Sequence, residues 1–169
     1  SKPLGSPNAK MSDILYLNLG SEPGSLHPLK SNEAVSNEVQ AYILDSLATR
    51  NTDTYEWEPS LALSWSTSKD GKSYTFKLRQ GVKWSDGQPV TADDVKFSFD
   101  AIFDPKNEAA AMIPYYEAIE KVEIVDPQTV RFVVKEKYFK NFDVAAGLTV
   151  LPKHIYGNPN SSLNLNKNV

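Results

Sequence analysis

The sequence predicts a mixed α/β (α+β) fold built from antiparallel hairpins and packed helices. Three observations carry that expectation. Two pairs of β-prone runs flank short turn signals, Lys69-Asp70-Gly71-Lys72 and Asp126-Pro127-Gln128. Two other stretches repeat apolar residues at helical spacing, Val35 to Leu47 and Val95 to Phe103. The 169 residues are 40 % hydrophobic and 11 % aromatic, enough to bury a sizeable core.

The opening, Ser1-Lys2-Pro3-Leu4-Gly5-Ser6-Pro7-Asn8, has small residues and no apolar period, so residues 1–11 read as a flexible leader. It fits either an ordinary frayed terminus or the tether left by a removed secretion signal. Ile14-Leu15-Tyr16-Leu17-Asn18-Leu19 then reads as a buried strand closed by Gly20 and Pro23. Val35, Val39, Tyr42, Ile43 and Leu47 predict an amphipathic helix over 34–48, and the turn-rich stretch Arg50 to Tyr55 separates it from the hairpins.

Ser60 to Ser68 and Ser73 to Arg79 form the first hairpin, because Asp-Gly accepts the positive φ of a tight turn. Tyr74, Phe76 and Leu78 alternate with Thr75, Lys77 and Arg79, as a strand with one buried face requires. Lys121 to Val125 and Thr129 to Lys135 form the second hairpin. Between them, Thr91 supplies a helix cap, Asp93 and Asp94 complement the dipole, and Val95, Phe99, Ile102 and Phe103 make the buried stripe up to Asp104-Pro105. A shorter helix is expected over Ala109 to Ile119 with Pro114 in its middle. Asn158 to Val169 is rich in Asn and Ser and reads as cut short.

Composition removes several functions. With 18 Lys+Arg against 21 Asp+Glu there is no basic excess for nucleic acid, no apolar run is long enough to span a membrane, and no cysteine is present to serve as nucleophile or zinc ligand. His27 and His154 lack metal-site spacing, so neither a metal nor a cofactor is expected. No GxSxG or GxxxxGK[ST] motif occurs. Several acidic pairs, among them Asp93/Asp94 and Asp86 near Asp100, offer a starting point for a carboxylate-dependent hydrolase, and capping explains the first pair without chemistry. Trp57, Trp65 and Trp84 suit packing, whereas Tyr115-Tyr116, in an expected loop after Pro114, suits the lining of a cleft.

One long block is specific enough to resemble a known family. Pro59-Ser60-Leu61-Ala62-Leu63-Ser64-Trp65, then Ser68 through Arg79, then Gly81-Val82-Lys83-Trp84-Ser85-Asp86-Gly87-Gln88-Pro89-Val90-Thr91-Ala92-Asp93-Asp94-Val95 and on to Phe99, resembles the oligopeptide-, dipeptide- and nickel-type extracellular solute-binding proteins of ATP-binding-cassette importers. Gly20 to Pro28 and Val150-Leu151-Pro152-Lys153-His154-Ile155 extend the likeness to about Ile14–Tyr156. Relatives commonly carry an acid or Asn where His27 stands, and His27 is expected to fill that turn by hydrogen bonding, the alternative being a metal or haem-related ligand.

The resemblance implies the amino-terminal part of a type II periplasmic-binding-protein-like fold. On that reading residues 12–48 belong to the first lobe, 49–149 form its small domain, and 150–169 return to the first lobe. It further implies a non-enzymatic, monomeric receptor, periplasmic or extracellular and lipid-anchored upstream in one arrangement, that captures peptides and delivers them to permease subunits. Asn32 and Ala34 would offer backbone groups to the peptide, Glu33 would add charge, and Tyr115 or Tyr116 would approach from the small domain. A nickel chelate or a sugar is the alternative ligand within the family.

Overall fold

The structure is a computed structural model that describes residues 18–31, 33–161 and 165. The expected leader, most of the strand expected over 14–19, and Asn32 lie outside the described residues.

Four strands form the central antiparallel sheet: β3 (Ala62–Thr67), β4 (Ser73–Leu78), β5 (Ile119–Asp126) and β6 (Thr129–Val134), in spatial order β3-β4-β6-β5. Both expected hairpins are present, with Thr67 opposite Tyr74 in the first and Asp126 opposite Thr129 in the second. Gly71 closes the first turn at φ +71, a conformation that strains any residue with a Cβ. The inner face gathers Trp65, Tyr74, Phe76, Val130 and Phe132, while Ser64, Ser66, Lys77 and Arg131 face solvent. This alternation is why the sheet needs a helical layer on one side only.

Helix α2 (Ala92–Phe103) supplies that layer with Val95, Phe99 and Ile102, and Phe99 meets Phe132 edge-on at 6.5 Å. Phe103, expected in the buried stripe, is 37 % exposed because Phe99 and Ile102 already cover the sheet. At the other end of the inner face, Phe142 of α4 (Asn141–Ala146) lies within 5.6 to 5.8 Å of the rings of Trp57, Trp65, Tyr74 and Phe76. Phe76 and Phe132 are fully buried, and truncating either to Ala would cost about 3–5 kcal/mol.

The first helix, α1 (Ala34–Ile43), stops five residues before the expected end. Leu44 turns extended, Ser46 bridges Thr149, and Leu47 is buried at a bend where its carbonyl accepts from Ala62 N. Leu47 therefore matched the helical period by coincidence, and pairing with residues 149–150 and 60–62 overrides it. Tyr42 and Ile43, read as buried, stand exposed. The turn-rich stretch 50–55 is the loop of a small hairpin, β1 (Ala48–Arg50) with β2 (Trp57–Pro59), held by Asn51 Oδ1, which accepts from the amides of Asp53 and Thr54. Of the helix expected over 109–119 only α3 (Ile113–Tyr116) forms, with Pro114 in its first turn, where its missing N–H costs nothing. Tyr115 and Tyr116 thus sit on a helical turn rather than in a loop.

The last helix, α5 (Lys153–Tyr156), is fastened to α2. Asp94 is only 4 % exposed, and its carboxylate accepts from Thr91 N (2.9 Å), Thr91 Oγ1 (3.2 Å) and Lys153 N (2.9 Å). Ser98 Oγ donates to the Asp94 carbonyl (2.6 Å) and accepts from Leu151 N (2.8 Å). The Thr91-Ala92-Asp93-Asp94 signature is therefore a capping device that also anchors the returning chain.

Candidate functional site

Two concave surfaces compete for the role of site, and their polar chemistry separates them. The groove at the start of α2, about 610 Å³, is lined by groups that already satisfy one another. Asp94 is engaged by Thr91 and Lys153 N, Asp93 pairs with Lys153 Nζ (3.0 Å), and His154 Nε2 lies 2.6 Å from Asp86 Oδ2. The hydrogen bond from Gln88 N and the contact with His154 hold the Asp86 carboxyl below its ordinary range. Asp100 is taken up by Lys96 at 2.8 Å. The acids that a hydrolase would need are thus dispersed into separate structural pairs.

The second surface, a cleft of about 460 Å³, has an unsatisfied interior. The loop ahead of α1 supplies Pro28 and Ser31, α1 supplies Asn37 and Gln40, the α3 region supplies Met112, Tyr115 and Tyr116, and α4 with its flanking residues supplies Lys140, Asp143 and Thr149. Among the described residues Ser31 Oγ is buried with no hydrogen-bond partner, and an unpaired buried hydroxyl costs about 1–3 kcal/mol. A ligand polar group would remove that cost.

Local sequence explains how the loop is held. His27 Nδ1 accepts from Leu29 N (3.2 Å), and the His27 carbonyl accepts from Lys30 N and Ser31 N, so His27 does fill the turn by hydrogen bonding. Burial pushes the imidazole below its usual range, which keeps the accepting neutral form. Lys30 Nζ pairs with Glu108 (2.8 Å), tying the loop to the 3₁₀ turn after α2. Glu33 sends its carboxylate back to Gly24 N (2.8 Å) and Ser36 Oγ (3.3 Å), clamping the entry to α1.

The two tyrosines divide their labour. Tyr115 is 71 % exposed and offers a ring face and hydroxyl at the cleft. Tyr116 is buried in the wall, and desolvation pushes its phenol up to about 12, so it stays a neutral donor. On the opposite side Asp143 is neutralised by Arg50 Nη2 (3.2 Å) and accepts from Trp57 Nε1 (3.1 Å), with the guanidinium lying 5.0 Å from the Trp57 ring centroid.

Of the residues singled out from sequence, Tyr115 and Tyr116 line the cleft, while Glu33 and Ala34 stand beside it at the start of α1 and are not among its lining residues. Asn32 lies outside the described residues. Sequence reasoning passed over Ser31, Asn37 and Gln40. The spacing of Asn37 and Gln40, three residues apart on one helical face, was the available signal. Among the described residues no group of three His, Asp or Glu side chains stands together to hold a metal ion.

Residues 56–168 match the model of the bacterial extracellular solute-binding proteins, family 5, middle region. The chain belongs to this family. It is 43 % identical over 105 residues to the oligopeptide-binding protein OppA of Bacillus subtilis, an alignment covering 62 % of the chain and 19 % of that protein. The crystal structure of Haemophilus influenzae OppA in complex with RPPGFSPFR superposes with a TM-score of 0.73 at 28 % identity, covering 83 % of this chain and 31 % of that one. NikZ of Campylobacter jejuni, in complex with Ni(L-His), superposes with a TM-score of 0.69 at 34 % identity, covering 85 % and 28 %. The chain thus spans about a fifth of the length of the curated relative it matches. These solute-binding relatives give the hydrolase reading no support.

Proposed function

We propose that this chain provides the first-lobe face of a receptor that captures peptides outside the cytoplasmic membrane and presents them to the permease of an ABC importer, without a catalytic step. The observation that carries the reading is the cleft between the loop before α1 and α3, where a buried, unpartnered Ser31 Oγ lies beside the exposed Tyr115. An extended peptide has the complementary chemistry: backbone donors and acceptors for the loop and α1, and side chains for the Tyr115 face. Asn32 and Ala34 are the proposed backbone contacts, Glu33 holds their loop and sets its charge, and Tyr116 forms the wall.

A receptor of this kind closes two lobes on its ligand, because one face alone leaves the peptide hydrated and its ordering entropy poorly offset. Calorimetry with a mixed peptide library tests the proposal on a full-length receptor carrying this sequence. Saturable peptide binding is expected. No peptide binding, with uptake of a nickel chelate or a sugar instead, replaces the ligand while keeping the family.

A further inference from the structure

The loop after β6 carries the most exposed large apolar side chain among the described residues. Phe139 is 76 % exposed and Tyr138 51 %, and their rings lie 4.6 Å apart without joining the core. Between this loop and the Asp70-Gly71 turn runs a groove of about 430 Å³, floored by Tyr74 and lined by Lys69, Lys137, Tyr138 and Phe139. The Lys137 stem lies across Gly71, where a Cβ would meet it at 2.9 Å. Lys140 Nζ stands 5.8 Å from the Phe139 ring centroid.

Among the described residues no carboxylate lines this groove. Asp70, next to it, is turned into its own hairpin, accepting from Ser68 Oγ (2.5 Å) and Lys72 N (3.0 Å). Residues 67–74 and 136–140 together hold four lysines against Asp70 and Glu136, in a chain with 18 bases and 21 acids overall. The molecule therefore concentrates positive charge around its most exposed aromatic pair.

Lysines alone would suit any acidic partner. Two aromatic rings standing free at a loop tip, with a lysine stem laid along the turn beside them, suit the interfacial zone of a bilayer, where rings settle at headgroup depth. We propose that this edge docks on an anionic phospholipid surface, with Tyr138 and Phe139 in the headgroup layer and Lys69, Lys137 and Lys140 against lipid phosphates. The contact is weak and reversible, since a lysine near such a surface contributes about 1 kcal/mol, roughly fivefold in partitioning. It shares Lys140 with the rim of the peptide cleft but does not depend on the ligand proposed there.

Co-sedimentation of the chain with vesicles of equal parts phosphatidylglycerol and phosphatidylcholine tests it, beside vesicles of phosphatidylcholine alone. Binding to the anionic vesicles is expected, falling with added salt. Each of Lys69→Gln, Lys137→Gln and Lys140→Gln should lower it about fivefold. Phe139→Ser, at a position so exposed that the fold does not need it, should lower it about tenfold. No binding to anionic vesicles overturns the proposal, as does equal binding to both vesicle types. Retention on immobilised poly-glutamate without vesicle binding also overturns it and reassigns the edge to an acidic protein.

Discussion

Asp93 and Asp94 are neighbours of identical chemistry, yet the structure gives them opposite weights. Replacing Asp94 with Ala removes the acceptor for Thr91 N, Thr91 Oγ1 and Lys153 N together. Two backbone amides, one at the start of α2 and one at the start of α5, lose their partners in a site where the carboxylate is 4 % exposed. Each orphaned amide costs about 1–3 kcal/mol, and water entering the opened site recovers part of it, so a net loss of about 3 kcal/mol is expected. Asp93→Ala breaks a single ion pair with Lys153 between half-exposed side chains, worth less than about 1 kcal/mol. Urea unfolding followed by circular dichroism reads both. With a slope of about 2 kcal/mol/M, Asp94→Ala should lower the midpoint by about 1.5 M and Asp93→Ala by less than about 0.5 M. Equal shifts for the two variants, or an Asp94→Ala midpoint within about 0.3 M of the parent, would refute the reading of this signature as a capping and anchoring device.

Gly71→Val forces a β-branched residue into φ +71 and against the Lys137 stem, and should cost at least about 1 kcal/mol in the same unfolding assay, whereas Gly71→Asn should cost less. His27 has a folded-state pKa below its ordinary 6.5, so its contribution to stability is complete above that pH and is lost as pH falls from there toward the folded value, because the unfolded chain takes up the proton first. His27→Asn, which keeps an acceptor but does not titrate, should flatten that part of the stability profile below about pH 6.5. Tyr115→Ala should weaken peptide binding about tenfold while leaving stability within about 0.5 kcal/mol, since the ring is exposed, and calorimetry with a parallel melt separates the two effects.

The elements legible in the sequence are those fixed by local chemistry. Asp70-Gly71 and Pro127-Gln128 each specify a turn on their own, and the Thr91 cap with its apolar stripe specifies α2. What the sequence misplaced was decided at a distance. Leu47 kept the helical period but lies beyond the helix because residues 60–62 and 150 take up the backbone carbonyls of Asp45, Ser46 and Leu47. The hairpin at 48–59 has strands of only three residues, too short for a periodic signal, and α4 is organised around Phe142, whose partners lie on three different strands. The cleft was half legible for the same reason. A tyrosine pair after a proline stands out in a sequence, but a serine left without a partner shows itself only once everything around it has been placed.

Hydrogen–deuterium exchange of a full-length receptor carrying this sequence, with and without a saturating peptide, locates the surface that holds the ligand. Peptide held in the proposed cleft should slow exchange at residues 28–40 and 111–116 while leaving the ion-paired groove around 88–97 and 153–158 unchanged. Protection concentrated at that groove, with none along the loop before α1 or at α3, would contradict the account.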